Sequence, residues 1–162
     1  MKTIIAVTIF GILTCAYATD GDNCVGEKAM ADFDAAQFFN GSWYLAHEAK
    51  TKPTVCQKFS TNETEGFANI VESGYDKFKE FTKFQCEGGK KNEEQYSFNC
   101  SSYECGSDNI NFKVDFTFIS ADYNNFVLVC RSITIGAGPK EDKFIVLERT
   151  KDEHVTDAKD IC

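Results

Sequence analysis

From Ile110 to Phe118 the chain alternates without a break. Ile110, Phe112, Val114, Phe116 and Phe118 are apolar, and Asn111, Lys113, Asp115 and Thr117 are polar. A two-residue period places the apolar set on one face of an extended chain, which predicts a half-buried strand. Such a strand must pair on both edges and cover its aromatic face with other strands of the same kind.

The rest of the sequence supplies them. Gln95–Cys100 alternates in the same way, as does Val55–Phe59. Phe67–Val71, Phe126–Ile135 and Lys143–Arg149 are further β-rich runs, and Tyr44–His47 reads as a first strand. Tyr75–Cys86 carries Phe78, Phe81 and Phe84 at a spacing that also suits a helix. Its β-forming residues and flanking cysteine favour a bulged strand. Turns or loops are expected at Thr61–Gly66, Ser73-Gly74, Glu87–Glu94 around Gly88-Gly89, Ser101–Asn109, Ser120–Asn125 and Gly136–Pro139. About eight short strands at such intervals predict an all-β antiparallel barrel or sandwich, and closure removes the exposed edges.

Ahead of the first strand lies Phe38-Phe39-Asn40-Gly41-Ser42-Trp43-Tyr44, with the one tryptophan of the chain. Met30–Phe39 reads as a short helical plug whose apolar residues are Phe33, Phe38 and Phe39. Gly41 permits a close backbone turn. Trp43 then buries a large ring whose indole N–H requires an acceptor.

Residues 1–18 read as a secretory signal peptide: Lys2, the apolar run Ile4–Cys15, and Ala16-Tyr17-Ala18 as the cleavage site. The run is too short for a stable membrane span. Residues 19–162 then form one domain. The formal net charge of −8 makes nucleic acid or an anionic membrane a poor partner and suits a basic protein surface. Cys15 leaves with the signal, so Cys24, Cys56, Cys86, Cys100, Cys105, Cys130 and Cys162 remain. In an oxidising compartment they are structural disulfides with one left over, and many pairings are open. No C-x-x-C pair supports a zinc site.

Three short motifs then fall in order. Gly41-Ser42-Trp43 resembles the G-x-W that opens the first lipocalin strand. Ala121-Asp122-Tyr123 resembles the lipocalin T-D-Y with its first position changed, and Arg149 resembles the arginine that lies over the G-x-W ring. Longer segments narrow the likeness: Glu27–Met30, Trp43–His47, Val55–Phe59, Asp115–Ser120, Leu128–Thr134, Pro139–Asp142, Val146–Lys151 and Asp157–Lys159 resemble the triabin-like salivary lipocalins of blood-feeding triatomine bugs. The resemblance implies an eight-stranded antiparallel lipocalin-like barrel with a short N-terminal helical plug, in which two early strands can be exchanged. It also implies the bridges Cys24–Cys130, Cys56–Cys162 and Cys86–Cys100. Cys105, in an apparent insertion, is then unpaired or an alternative partner. Each long-range bridge is worth roughly 3–4 kcal/mol against the unfolded chain.

Function by resemblance is impairment of host haemostasis. It implies binding to thrombin at the basic fibrinogen-recognition exosite with the active site left open. Inhibition of contact-phase coagulation at factor XII activation is an alternative. Candidate interface acids are Glu141, Asp142, Asp152, Glu153, Asp157 and Asp160, with Glu63, Glu65, Glu72 and Asp76 as a second cluster. A different class of function is scavenging a small apolar mediator, an eicosanoid or a biogenic amine, inside the barrel. Fifteen phenylalanines could equally fill that interior, and alternation identifies no inward acid or arginine. No enzyme is expected: no serine nucleophile elbow or paired-acid pattern stands out, His47 reads as an ordinary strand histidine, His154 as a solvated residue of the acidic tail, and Gly136-x-Gly138 as a hairpin turn. No haem or other cofactor is expected, because Phe67–Phe84 lacks the strand histidine of the haem-carrying salivary relatives. Of the sequons at Asn40, Asn62 and Asn99, Asn62 is the best glycan acceptor, on the polar loop.

Overall fold

A computed structural model describes Cys24 and residues 26–48, 57–75, 81–102 and 110–150, with Tyr75 as backbone alone. Its elements are α1 (Ala35–Phe38), β1 (Gly41–Glu48), β2 (Gln57–Thr64), β3 (Phe67–Tyr75), β4 (Phe81–Lys90), β5 (Tyr96–Ser102), β6 (Asn111–Asp122), β7 (Phe126–Ile135) and β8 (Lys140–Glu148). Each strand pairs with the next, and β8 pairs back onto β1, so the sheet is a closed antiparallel barrel. The order is a plain meander; the exchange of two early strands is not seen.

Alternation decides which side chains enter the barrel. Trp43 is paired with Phe59, Thr61 with Ile70, Ile70 with Cys86, Cys86 with Cys100, Phe98 with Val114, Phe118 with Val129 and Val127 with Leu147. All of these are buried. Each fully buried Phe removes enough apolar surface from water to contribute about 2–3 kcal/mol. Bulges bend β1 between Leu45 and His47, against β8 where the barrel closes, and β6 between Phe118 and Ser120, against β7.

The expected helix over Met30–Phe39 shrinks to the single turn of α1. Asp34 caps it, its Oδ1 accepting from the Gln37 N–H at 3.1 Å. The residues before it are drawn out along the barrel mouth, where the Met30 N–H donates to the Phe118 carbonyl at 2.8 Å and Phe33 stacks on Phe118 at 3.8 Å. Those tertiary bonds replace the helical ones that a longer plug would have made.

Several expected loops are strand. The polar stretch Thr61–Gly66 needs only Glu65 and Gly66 to turn, with φ of 52° and 84°, so Asn62, Glu63 and Thr64 stay paired with Asn69, Ala68 and Phe67. Positive φ at both central residues is the two-residue hairpin geometry. Gly88 and Gly89 lie inside β4 rather than in a turn. A Cβ at Gly88 would run into the backbone of Ser97 and Phe98, so glycine there serves strand contact, and the reversal falls at residues 91–95. Ser73-Gly74 continues β3, and β6 runs on through Ser120 to Asp122. The run Tyr75–Cys86, expected as one bulged strand, is divided between the end of β3 and the start of β4, with Phe78 and the rest of 76–80 outside the described residues; from Phe81 to Gly88, β4 pairs with β3 in unbroken register. Gly136 turns β7 into β8 with φ of 55°. Residues 1–18, expected as a signal peptide, Val55, Cys56, Cys105 and the acidic tail lie outside the described residues.

Candidate functional site

One end of the barrel is shut by a lid. The Arg149 guanidinium lies 3.6 Å from the centroid of the Trp43 ring. Its Nη2 donates to the Gln37 carbonyl at 2.7 Å, Nη1 to those of Asn40 and Ser42 at 2.9 and 3.2 Å, and Nε to that of Tyr123 at 3.0 Å. Beneath it, the Trp43 indole N–H donates to the Phe38 carbonyl at 2.9 Å. Burial lowers the Arg149 pKa from its ordinary value. Gly41, with φ of 101°, opens β1 beside this arginine. Asp122 closes the β6–β7 turn by accepting from the Asn124 N–H and the Asn125 side-chain amide, and Tyr123 Oη accepts from the Asp34 N–H at 2.6 Å. These five signature residues thus build one structural assembly.

Farther along the barrel, sequence reasoning missed a charged cluster on the inner face. Arg131, 6% exposed, sends Nη1 to Glu72 Oε1 and Nη2 to Glu48 Oε1, each at 3.3 Å. Lys143 Nζ lies 3.3 Å from the same Glu48 oxygen. Among the described residues, the Arg131 Nε and the Gln57 Oε1 are buried without hydrogen-bond partners. The signal was present in β7, where Val127, Val129 and Arg131 share one parity, and in β3, where Ala68, Ile70 and Glu72 do. Glu72 is therefore not part of a surface cluster with Glu63 and Glu65: it shares a face with Phe59, its partner on β2.

Of the candidate interface acids, Glu141, Asp142, Glu63, Glu65 and Glu72 are among the described residues. Glu141 is exposed and pairs with Ile133 at the start of β8. Its neighbour Asp142 points to the opposite face, with a side chain 13% exposed and 3.5 Å from Lys140 Nζ. Its Oδ1 has no hydrogen-bond partner among the described residues, so that contact is an ion pair without bonding geometry. Glu63 and Glu65 are exposed on the β2–β3 hairpin, beside a groove of about 420 Å³ that also takes in Phe39, Asn40 and Asn62. Asp76, Asp152, Glu153, Asp157 and Asp160 lie outside the described residues.

Cys24 and Cys130 are joined by a disulfide that ties the N-terminal arm to β7, and Cys86 and Cys100 by one between β4 and β5. Cys56–Cys162 and the fate of Cys105 fall on residues outside the described set. Among the described residues, no group of three or more His, Cys, Asp or Glu is placed to hold a metal ion.

Solved structures share this fold. The chain aligns with the amine binding protein of Rhodnius prolixus in its tryptamine complex at a TM-score of 0.62 and 23% identity, covering 80% of this chain and 72% of that one. It aligns with insecticyanin from Manduca sexta at 0.55 and 16%, covering 85% and 76%. At these identities the likeness establishes a lipocalin-like barrel. Sequence relatives are nearer. Dimiconin of Triatoma dimidiata is 64% identical, over 97% of this chain and 82% of its own length. Triabin of Meccus pallidipennis is 62% identical over the full length of both. With the family profile described as Triabin matching residues 14–162, the chain belongs to the triabin family.

Proposed function

We propose that the protein is a secreted salivary anticoagulant that binds thrombin at its fibrinogen-recognition exosite and leaves the active site open. The observation that carries this reading is the 62% identity to Triabin over the whole of both chains. The physical chemistry agrees with it. A chain of net charge −8 is steered toward a basic surface, and acids at the rim of an interface raise the association rate while apolar contacts hold the complex. Secretion follows from the signal peptide read in residues 1–18. The protein works by occupying a surface rather than by chemistry of its own.

The test is thrombin activity on two substrates in the presence of the purified chain. Fibrinogen clotting slows and cleavage of a small chromogenic peptide continues if the exosite alone is occupied. Loss of peptide cleavage overturns exosite-only docking. If neither changes, thrombin is not the target, and contact-activated clotting times test factor XII activation instead.

One feature supports a second reading, capture of a small haemostatic mediator, an eicosanoid or a biogenic amine, inside the barrel. The buried Nε of Arg131 and Oε1 of Gln57 belong to the inner face and have no hydrogen-bond partner among the described residues. Calorimetric titration with biogenic amines and eicosanoids tests it, and the absence of heat for all of them excludes it.

A further inference from the structure

We infer that Asn62 carries an N-linked glycan whose first sugar packs on Phe67, at the tip of the β2–β3 hairpin. The inference rests on the secretion read above, since the modification takes place only along that route. Asn62-Glu63-Thr64 is an N-x-T acceptor sequence. Asn62 and Thr64 are both exposed, and both point outward because their neighbour Thr61 is buried on the inner face. Phe67 is the most exposed large apolar side chain among the described residues, at 72%. It pairs with Thr64, and Asn62 pairs with Asn69. Phe67 is therefore the diagonal neighbour of Asn62 on the same outer face, about 7–8 Å away and within reach of a sugar attached to the amide. The two-residue turn at Glu65-Gly66 holds that register. The C–H face of a pyranose carries slight positive charge and suits the negative face of an aromatic ring.

The other two sequons are less suited. Asn40 has its own carbonyl bonded by Arg149 at 2.9 Å, at the crowded lid over Trp43. Asn99 precedes Cys100, which is buried and joined to Cys86.

The donor is a polyprenyl diphosphate oligosaccharide. The Asn62 Nδ2 forms a bond to C1 of the terminal N-acetylglucosamine as the bond from C1 to the phosphate oxygen breaks. The polyprenyl diphosphate leaves with the electron pair, and a base of the transferase takes the Nδ2 proton. A sugar there shields Glu63 and Glu65, so the docking acids must lie elsewhere on the molecule.

The test is expression of the full chain in insect cells, with the medium analysed before and after peptide N-glycanase. The expected result is a mobility shift that is lost in Asn62→Gln and Thr64→Ala, and kept in Thr64→Ser, Asn40→Gln and Asn99→Gln. Glycan removal should lower the melting temperature of the natural chain and leave that of Phe67→Ala unchanged. Protein that enters the medium without a shift, or with one that survives Asn62→Gln, overturns the glycan while secretion stands. Protein that never enters the medium overturns both. An equal drop in melting temperature with and without Phe67 overturns the packing of sugar on ring.

Discussion

Arg149 lies face-on over Trp43, 3.6 Å from the ring centroid, and its guanidinium also bonds the carbonyls of Gln37, Asn40, Ser42 and Tyr123. One side chain thus satisfies carbonyls from the plug, from β1 and from the β6–β7 turn, and caps the most deeply buried ring among the described residues. The planar fork of arginine can do this, and a lysine ammonium cannot. Arg149→Ala is expected to cost about 2–4 kcal/mol, and Arg149→Lys to recover less than half of it. Urea denaturation followed by Trp43 fluorescence measures both.

The interior ions give a second prediction. Arg131→Met leaves Glu48 and Glu72 without their shared cation, and the loss should be about 3 kcal/mol, moderated by Lys143. Adding Glu48→Gln and Glu72→Gln should restore most of that stability, because the carboxylates that Arg131 neutralised are gone. A triple variant no more stable than Arg131→Met means that the cluster acts through packing rather than charge.

Gly88 tests the close strand contact. Gly88→Ala places a methyl group against the backbone of Ser97 and Phe98, where no rotamer relieves it. A loss of at least about 2 kcal/mol is expected in chemical denaturation. Gly66→Ala meets nothing within 4 Å and suffers only from its φ of 84°, so its cost should be nearer about 1 kcal/mol.

Acid should weaken the wall of the barrel through Asp115. Burial raises its pKa, but the Ser97 hydroxyl, bonded at 2.6 Å, together with Lys91 and Lys113, outweighs burial and holds the carboxyl below its ordinary value. The unfolded chain therefore binds the proton first. The stability that Asp115 contributes is fully present above its unfolded pKa, about 4, and is lost as pH falls through the lower folded value. Asp115→Asn should flatten the acid limb of the stability profile in that window and leave the slope near pH 7 unchanged.

The strands were legible because period-two alternation is a local signal. Phe126–Ile135 matches β7 to the residue, and Ile110–Phe118 lies almost wholly within β6. Loop boundaries were less legible, since a glycine read as a turn can instead relieve contact between strands, as Gly88 does, and a polar run can be the outer face of a hairpin, as Asn62–Thr64 is. The lid was readable through the motifs that hold Trp43 and Arg149. The Arg131 cluster was not, although its parity was visible: a charge counts as inward only when the register of three strands is known, and pairing across β1, β3 and β7 is not a local property.

Exosite docking is tested most directly by binding of the purified chain to thrombin whose active site is covalently blocked, with and without an excess of an acidic exosite peptide. The expected result is unchanged affinity for the blocked protease, loss of binding when the peptide is present, and an association rate that falls as salt rises. Binding that disappears on blocking the active site, or that survives the exosite peptide, contradicts the proposed mode of action.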